Sequence, residues 1–187
     1  MLIQTVGLRI ALLSVLCVCA GGALAADTAA SEKPLSPKAF VELAAQDGMT
    51  EVQLGEIAMK NSQNQQVHQF AQRMIEDHGK ANTELEGIAQ QKNLIVAKQL
   101  DPKHTALVQG LSMKSGADFD AAYTGAMVDA HTTAIALFKR EAKASDPELS
   151  AFAKKMLPTL TEHKRMAEKL HTSIGSGAEN RPSSSSR

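Results

Sequence analysis

Three histidines in this chain stand where apolar side chains would be expected. Around the stretch FAQRMIEDHGKANTEL, the residues Val67, Phe70, Ala71, Met74, Ala81, Leu85 and Ile88 recur at the three-and-four spacing of one helix face, and His78 falls inside that stripe. A second stripe, Phe119, Tyr123, Met127, Ala134 and Phe138, contains His131, and a third, Leu149, Phe152, Met156, Leu160, Ala167 and Leu170, contains His163. A fourth, Phe40, Leu43, Ala44, Leu54 and Ala58, has Asp47 and Glu51 on or beside it. A lone inward histidine is usually satisfied by a carbonyl or a hydroxyl. Three imidazoles and a carboxylate, one group per helix, form the donor set of a single borderline transition-metal ion such as Zn, Cu or Fe.

The helices that must position these groups are marked by their ends. Ser36-Pro37 is an N-cap with proline at the first helical position, opening a helix to about Lys60. Ser62-Gln63-Asn64-Gln65 has the form of a capping box for a second helix to about Lys92, and so short a turn makes the two helices antiparallel neighbours. Asp101-Pro102 starts a short helix to about Met113 within a segment long enough to cross the bundle. The third long helix is expected from about Asp118 to Lys143. The fourth follows Asp146-Pro147-Glu148 to about Ser173, with Pro158 bending it ahead of His163. Four long helices with two short turns and one long crossover predict an all-α, ferritin-like four-helix bundle whose crossover carries a short extra helix.

Position along the helices strengthens the metal reading. At 1.5 Å per residue, His78 lies about 21 Å from the start of its helix, His131 about 20 Å, His163 about 24 Å and Glu51 about 20 Å, so all four stand near mid-height. The expected ligands are therefore Glu51, His78, His131 and His163, supported by Asp47, Asp77 and Asp129, whose carboxylates can accept ring N–H groups from neighbouring helices. Asp47 can also join or replace Glu51. Met74, Met127 and Met166 lie one turn from the histidines and would suit copper if their sulfurs turned inward, although methionine stripes ordinarily fill cores. A metal-free polar cluster would show the same convergence, and both readings stay open. Di-iron oxidase chemistry is disfavoured, because none of the three central histidines has a glutamate three residues before it. Asp101-x-x-His104 and Glu168-x-x-His171 lie at helix ends, where exposure is expected. No nucleophile-base order, nucleotide loop or catalytic cysteine stands out, and no enzyme is predicted.

Composition bounds the rest. Lys plus Arg and Asp plus Glu balance at 20 each over 187 residues, which leaves no bulk field for nucleic acid. Aromatic residues make up only 3%, favouring close-packed Leu, Ala and Met helices over strands. Residues 1–25 have the pattern of a secretory signal, with Arg9, an apolar run from Ile10 to Ala20 and Ala23-Leu24-Ala25 before the expected cleavage, so a periplasmic or secreted protein without a transmembrane segment is expected. Cys17 and Cys19 would leave with it. Residues 26–36 form a flexible spacer, 37–173 the bundle, and 174–187 a disordered Ser/Gly-rich tail. A second copy of the chain or an envelope protein would be the expected partner.

The segments EVQLGEIAMKNSQNQQVHQFAQRMIEDHGKANTEL and FDAAYTGAMVDAHTTAIALFKREAKASDPELSAFAKKMLPTLTEHKRMAEKL, with their Asp-His, Phe-Asp-x-x-Tyr, Val-x-x-His and Leu-Pro-x-Leu-x-x-His elements, resemble the exported bacterial family catalogued as domain of unknown function 4142. The resemblance runs from about Phe40 to Leu170. It implies a ferritin-like fold and an envelope location, and supplies no activity. The expected functions are metal storage, buffering or stress protection, or else a metal-free structural or interaction module. If the imidazoles bind an ion, affinity should fall as pH drops through about 6.5.

Overall fold

The computed structural model describes residues 35–179; the expected signal, most of the expected spacer and the end of the expected tail lie outside them. The elements are α1 (Pro37–Asn61), α2 (Gln65–Gln91), α3 (Pro102–Ser112), α4 (Gly116–Glu141) and α5 (Pro147–Glu179), with no strand among the described residues. At three of them a polar cap stands where the sequence places it. Ser36 Oγ accepts from the Ala39 amide at 3.2 Å, Asp101 Oδ1 from the His104 amide at 2.8 Å and Asp146 Oδ1 from the Leu149 amide at 3.0 Å.

The cap of α2 differs from expectation. Asn64, not Ser62, is the N-cap, its Oδ1 accepting from the amides of Gln66 and Val67, while Ser62 closes α1 by donating its amide to the Ala58 carbonyl. In its first half α5 runs through Pro158 without a break, and it continues six residues past Ser173. Leu43, placed on the inner face from its spacing, is 46% exposed, because Val41 and Ala45 take the inward positions beside Phe40 and Ala44.

Two hairpins, α1–α2 and α4–α5, pack with α1 against α4 and α2 against α5. Lys92, just past α2, pairs with Asp146 at 2.9 Å and Glu148 at 2.8 Å at the start of α5. The Asn61 amide at the end of α1 donates to the carbonyls of Ser112 and Lys114 at the end of α3. The crossover with α3 therefore climbs alongside α1, and α4 begins where α1 ends. The four long helices run up, down, down and up, the connectivity of a bundle with one long crossover. Between α1 and α2 the approach is close: a Cβ on Gly55 would stand 2.8 Å from Ile75 Cγ1 and 3.1 Å from the Ala71 carbonyl. No described helix is long and apolar enough to cross a membrane.

The core has two apolar halves. One is built around Phe40, Leu85, Phe138, Leu149, Phe152 and Leu160, the other around Leu54, Phe70, Met74, Phe119, Tyr123 and Met127. The buried polar side chains Glu51, His78, His131 and His163 belong to neither and sit at the mid-height of the helices that supply both halves.

Candidate metal centre

Each long helix supplies one group to this layer: Glu51 from α1, His78 from α2, His131 from α4 and His163 from α5. Glu51 is 2% exposed and His131 and His163 are wholly buried. The ring centroids form a nearly equilateral triangle with sides of 5.5, 5.3 and 5.3 Å. One nitrogen of each ring lies within 4.8 Å of one nitrogen of the other two. Tetrahedral zinc, with bonds near 2.0–2.1 Å, needs nitrogens about 3.3 Å apart, so small ring rotations close the triangle on an ion.

In each ring one nitrogen is engaged and the other is not. His78 Nδ1 donates to Glu51 Oε2 at 2.8 Å, His131 Nδ1 to the Met127 carbonyl at 2.8 Å, and His163 Nε2 to Asp77 Oδ2 at 2.9 Å. The opposite atoms, His78 Nε2, His131 Nε2 and His163 Nδ1, are buried without a hydrogen-bond partner. A carbonyl or an ionised carboxylate can only accept, so each engaged nitrogen carries a proton, and a ring in its neutral form presents a lone pair at the other nitrogen. Metal-binding histidines are held and oriented in this way. Leaving such buried atoms unpaired costs about 1–3 kcal/mol each, a cost that a bound ion removes.

Electrostatics divide the rings. Burial acts to raise the Glu51 carboxyl, but the charge and hydrogen bond of His78, with His131 and His163 behind it, hold it below its ordinary range. Burial acts to lower His78, and Glu51 with Asp77 and Asp47 overrides it, raising the ring above its ordinary value. Burial lowers His131, and lowers His163 to about 4 despite the Asp77 hydrogen bond. His131 and His163 are therefore held neutral below their ordinary value, His163 down to about pH 4, while burial loses to Glu51 at His78 and its proton is held more tightly than usual.

The other expected residues separate. Asp77 is in place, accepting from His163 across the α2–α5 contact, with Arg73 3.3 Å away. Glu51, expected among the ligands, accepts from His78 Nδ1 through Oε2. Its Oε1 has no hydrogen-bond partner and lies 3.5 Å from the already committed His131 Nδ1. Asp129 is exposed and accepts from none of the three rings. Asp47 faces His104 Nε2 at 3.3 Å, while His104 Nδ1 lies 2.8 Å from Asp101. Burial, then the charge of Glu51, pushes the Asp47 carboxyl up to about 6. His104, expected at the surface, is thus half-buried beside the layer. The Asp101-x-x-His104 spacing was its signal, but only the packing of α3 on α1 brings it to Asp47. Met74, Met127 and Met166 belong to the second apolar half, as core filling does. His171 is exposed at the far end, its Nδ1 2.9 Å from the Thr124 hydroxyl.

The fold and this layer define a four-helix bundle with a buried histidine triangle backed by carboxylates and a carbonyl. The chain belongs to the family described as Domain of unknown function (DUF4142), whose model matches residues 22–170. Among solved structures it is similar to the crystal structure of a DUF305 fragment from Deinococcus radiodurans, at 19% identity and a TM-score of 0.65, covering 77% of this chain and 99% of that one. That likeness is one of fold. No curated protein matches the sequence.

Proposed function

We propose that this protein is exported to the periplasm or beyond and binds one transition-metal ion at His78, His131 and His163, acting as a metal buffer or protective binder rather than as an enzyme. The observation that carries the reading is that three buried rings, each with one nitrogen anchored and the other without a hydrogen-bond partner, can offer nitrogens within 4.8 Å of one another. Glu51, the Met127 carbonyl and Asp77 fix the tautomers, and the Glu51 and Asp77 carboxylates offset an incoming dication's charge. A cavity of about 20 Å³ against Glu51 and His78 has room for a single water. Ion binding displaces the second proton of His78, so loading releases acid.

Melting of the full mature chain with chelator and with Zn, Cu(II) or Fe(II) tests this. Free ion at 100 times Kd stabilises by about 2.7 kcal/mol, an upward Tm shift of about 5–10 °C for a domain of this size. His78→Ala, His131→Ala and His163→Ala should each remove most of that shift, and His171→Ala should keep it. A wild-type melt that none of the three ions moves would leave the histidines as a metal-free polar layer in a structural or interaction module.

A further inference from the structure

Beside the histidine layer, α1, α3 and α4 enclose a cavity of about 330 Å³, bordered by Asp47, Glu51, Lys103, His104, Asp129 and Met127 among others. Three carboxylates line it at graded depth: Asp129 is exposed, Asp47 half-buried, and Glu51 2% exposed. Glu51 spans the wall, since one oxygen accepts from His78 while the other, on a residue lining the cavity, has no partner. The 20 Å³ void on the other side of Glu51 also touches Asp47, but it is too small for a hydrated ion. Along the bundle axis the layer is closed by the two apolar half-cores.

We propose that divalent transition-metal ions reach the histidines through this cavity, held first by Asp129 and Asp47 and passed inward by Glu51. The route rests on the metal reading above. A cation shedding its water needs oxygen ligands at each stage, and carboxylates supply them with compensating charge. Asp47 becomes available when His104 lets go of its 3.3 Å contact and stays on Asp101. The opposing cation in the cavity is Lys103, which stands at the same wall. The route thus has an attracting and a repelling charge that can be removed separately.

The experiment is stopped-flow loading of chelator-stripped full-length protein with Co(II), followed by its visible absorption, with release into excess chelator measured in parallel. Asp47→Asn and Asp129→Asn should slow loading by about tenfold, the low end of electrostatic steering, and Lys103→Met should speed it, both effects shrinking at high salt. Release should slow with loading in the aspartate variants, leaving Kd within about twofold, because a passage residue acts on both directions. Rates equal to wild type in all three variants would overturn the route. So would slower loading combined with faster release, which would make Asp47 part of the binding site itself. A wild type that develops no cobalt spectrum would overturn the metal reading and the route with it.

Discussion

Replacing Asp47 by asparagine should stabilise the metal-free protein at alkaline pH. In the fold its carboxyl titrates near 6 instead of 3.8, because burial and the charge of Glu51 disfavour the anion more than His104 and Lys103 favour it. An acid whose folded pKa is raised binds its proton more tightly in the folded state. Stability therefore falls as pH rises from about 4 to about 6 and stays lower beyond it. At about 1.4 kcal/mol per pH unit the full penalty is about 3 kcal/mol. The side chain is 27% exposed, so water screens part of it, and about 1–2 kcal/mol is the expected gain. Asparagine keeps the shape and an acceptor for His104 while removing the charge. Urea unfolding with chelator present, at pH 8 and at pH 4, reads the effect: the variant should be more stable at pH 8 and nearly equal at pH 4. A variant no more stable than wild type at pH 8, or equally stabilised at both pH values, would refute the assignment of the cost to a buried charge.

His163 has the opposite sign. Its folded pKa near 4 lies below the ordinary 6.5, so it contributes stability above pH 6.5 that is lost as pH falls toward 4, about 3 kcal/mol at the limit. In the Asp47→Asn background, adding His163→Gln should make the loss of stability between pH 6.5 and pH 4 smaller in urea titrations; an equal loss would show that the ring is not held neutral. The α1–α2 contact predicts a contrast between two glycines. Gly55→Ala should lower Tm because its Cβ meets Ile75 and a backbone carbonyl, whereas Gly79→Ala, with open space around it, should raise stability by about 0.5–1 kcal/mol through helix propensity alone. Thermal melts of both variants under chelator check the pair, and a gain at Gly55 would mean the helices are not locked at that approach.

Much of the bundle was legible because caps and the 3.6-residue period are local signals. Ser36-Pro37, Asp101-Pro102 and Asp146-Pro147 each start a helix where they stand, and His78, His131 and His163 announced themselves by breaking apolar stripes at similar heights. What the sequence could not carry was the turn of each ring and carboxylate about its own helix relative to its neighbours. Asp77 is one residue from His78, about 100° round α2, and the fold places α5 on that side. Asp129 is two residues from His131, about 200° round α4, which points it away from the layer; this miss was readable from helix geometry alone. The role of Glu51 was not, since whether a mid-height carboxylate meets the ion or the back of an imidazole depends on side-chain reach across the α1–α2 contact. His104 was hidden for a different reason: residues 92–101 carry no periodicity, so nothing local shows that α3 lies against α1.

The layer itself runs against the economy of the rest of the core. Above and below it the core is mainly Phe, Leu, Met and Ala, with the Tyr123 hydroxyl buried among them, and aliphatic residues at its four positions would continue the same stripes on the same helices. Replacing a buried ionic cluster by apolar side chains of similar volume is often neutral or stabilising. This chain instead keeps four buried polar groups, three unpaired ring nitrogens and one unpaired carboxylate oxygen at the same level. Anchoring would be satisfied by one nitrogen of each ring, as it already is. The unpaired nitrogens add cost and no cohesion in the metal-free fold, and that cost is what motivates the proposal of an ion at this layer.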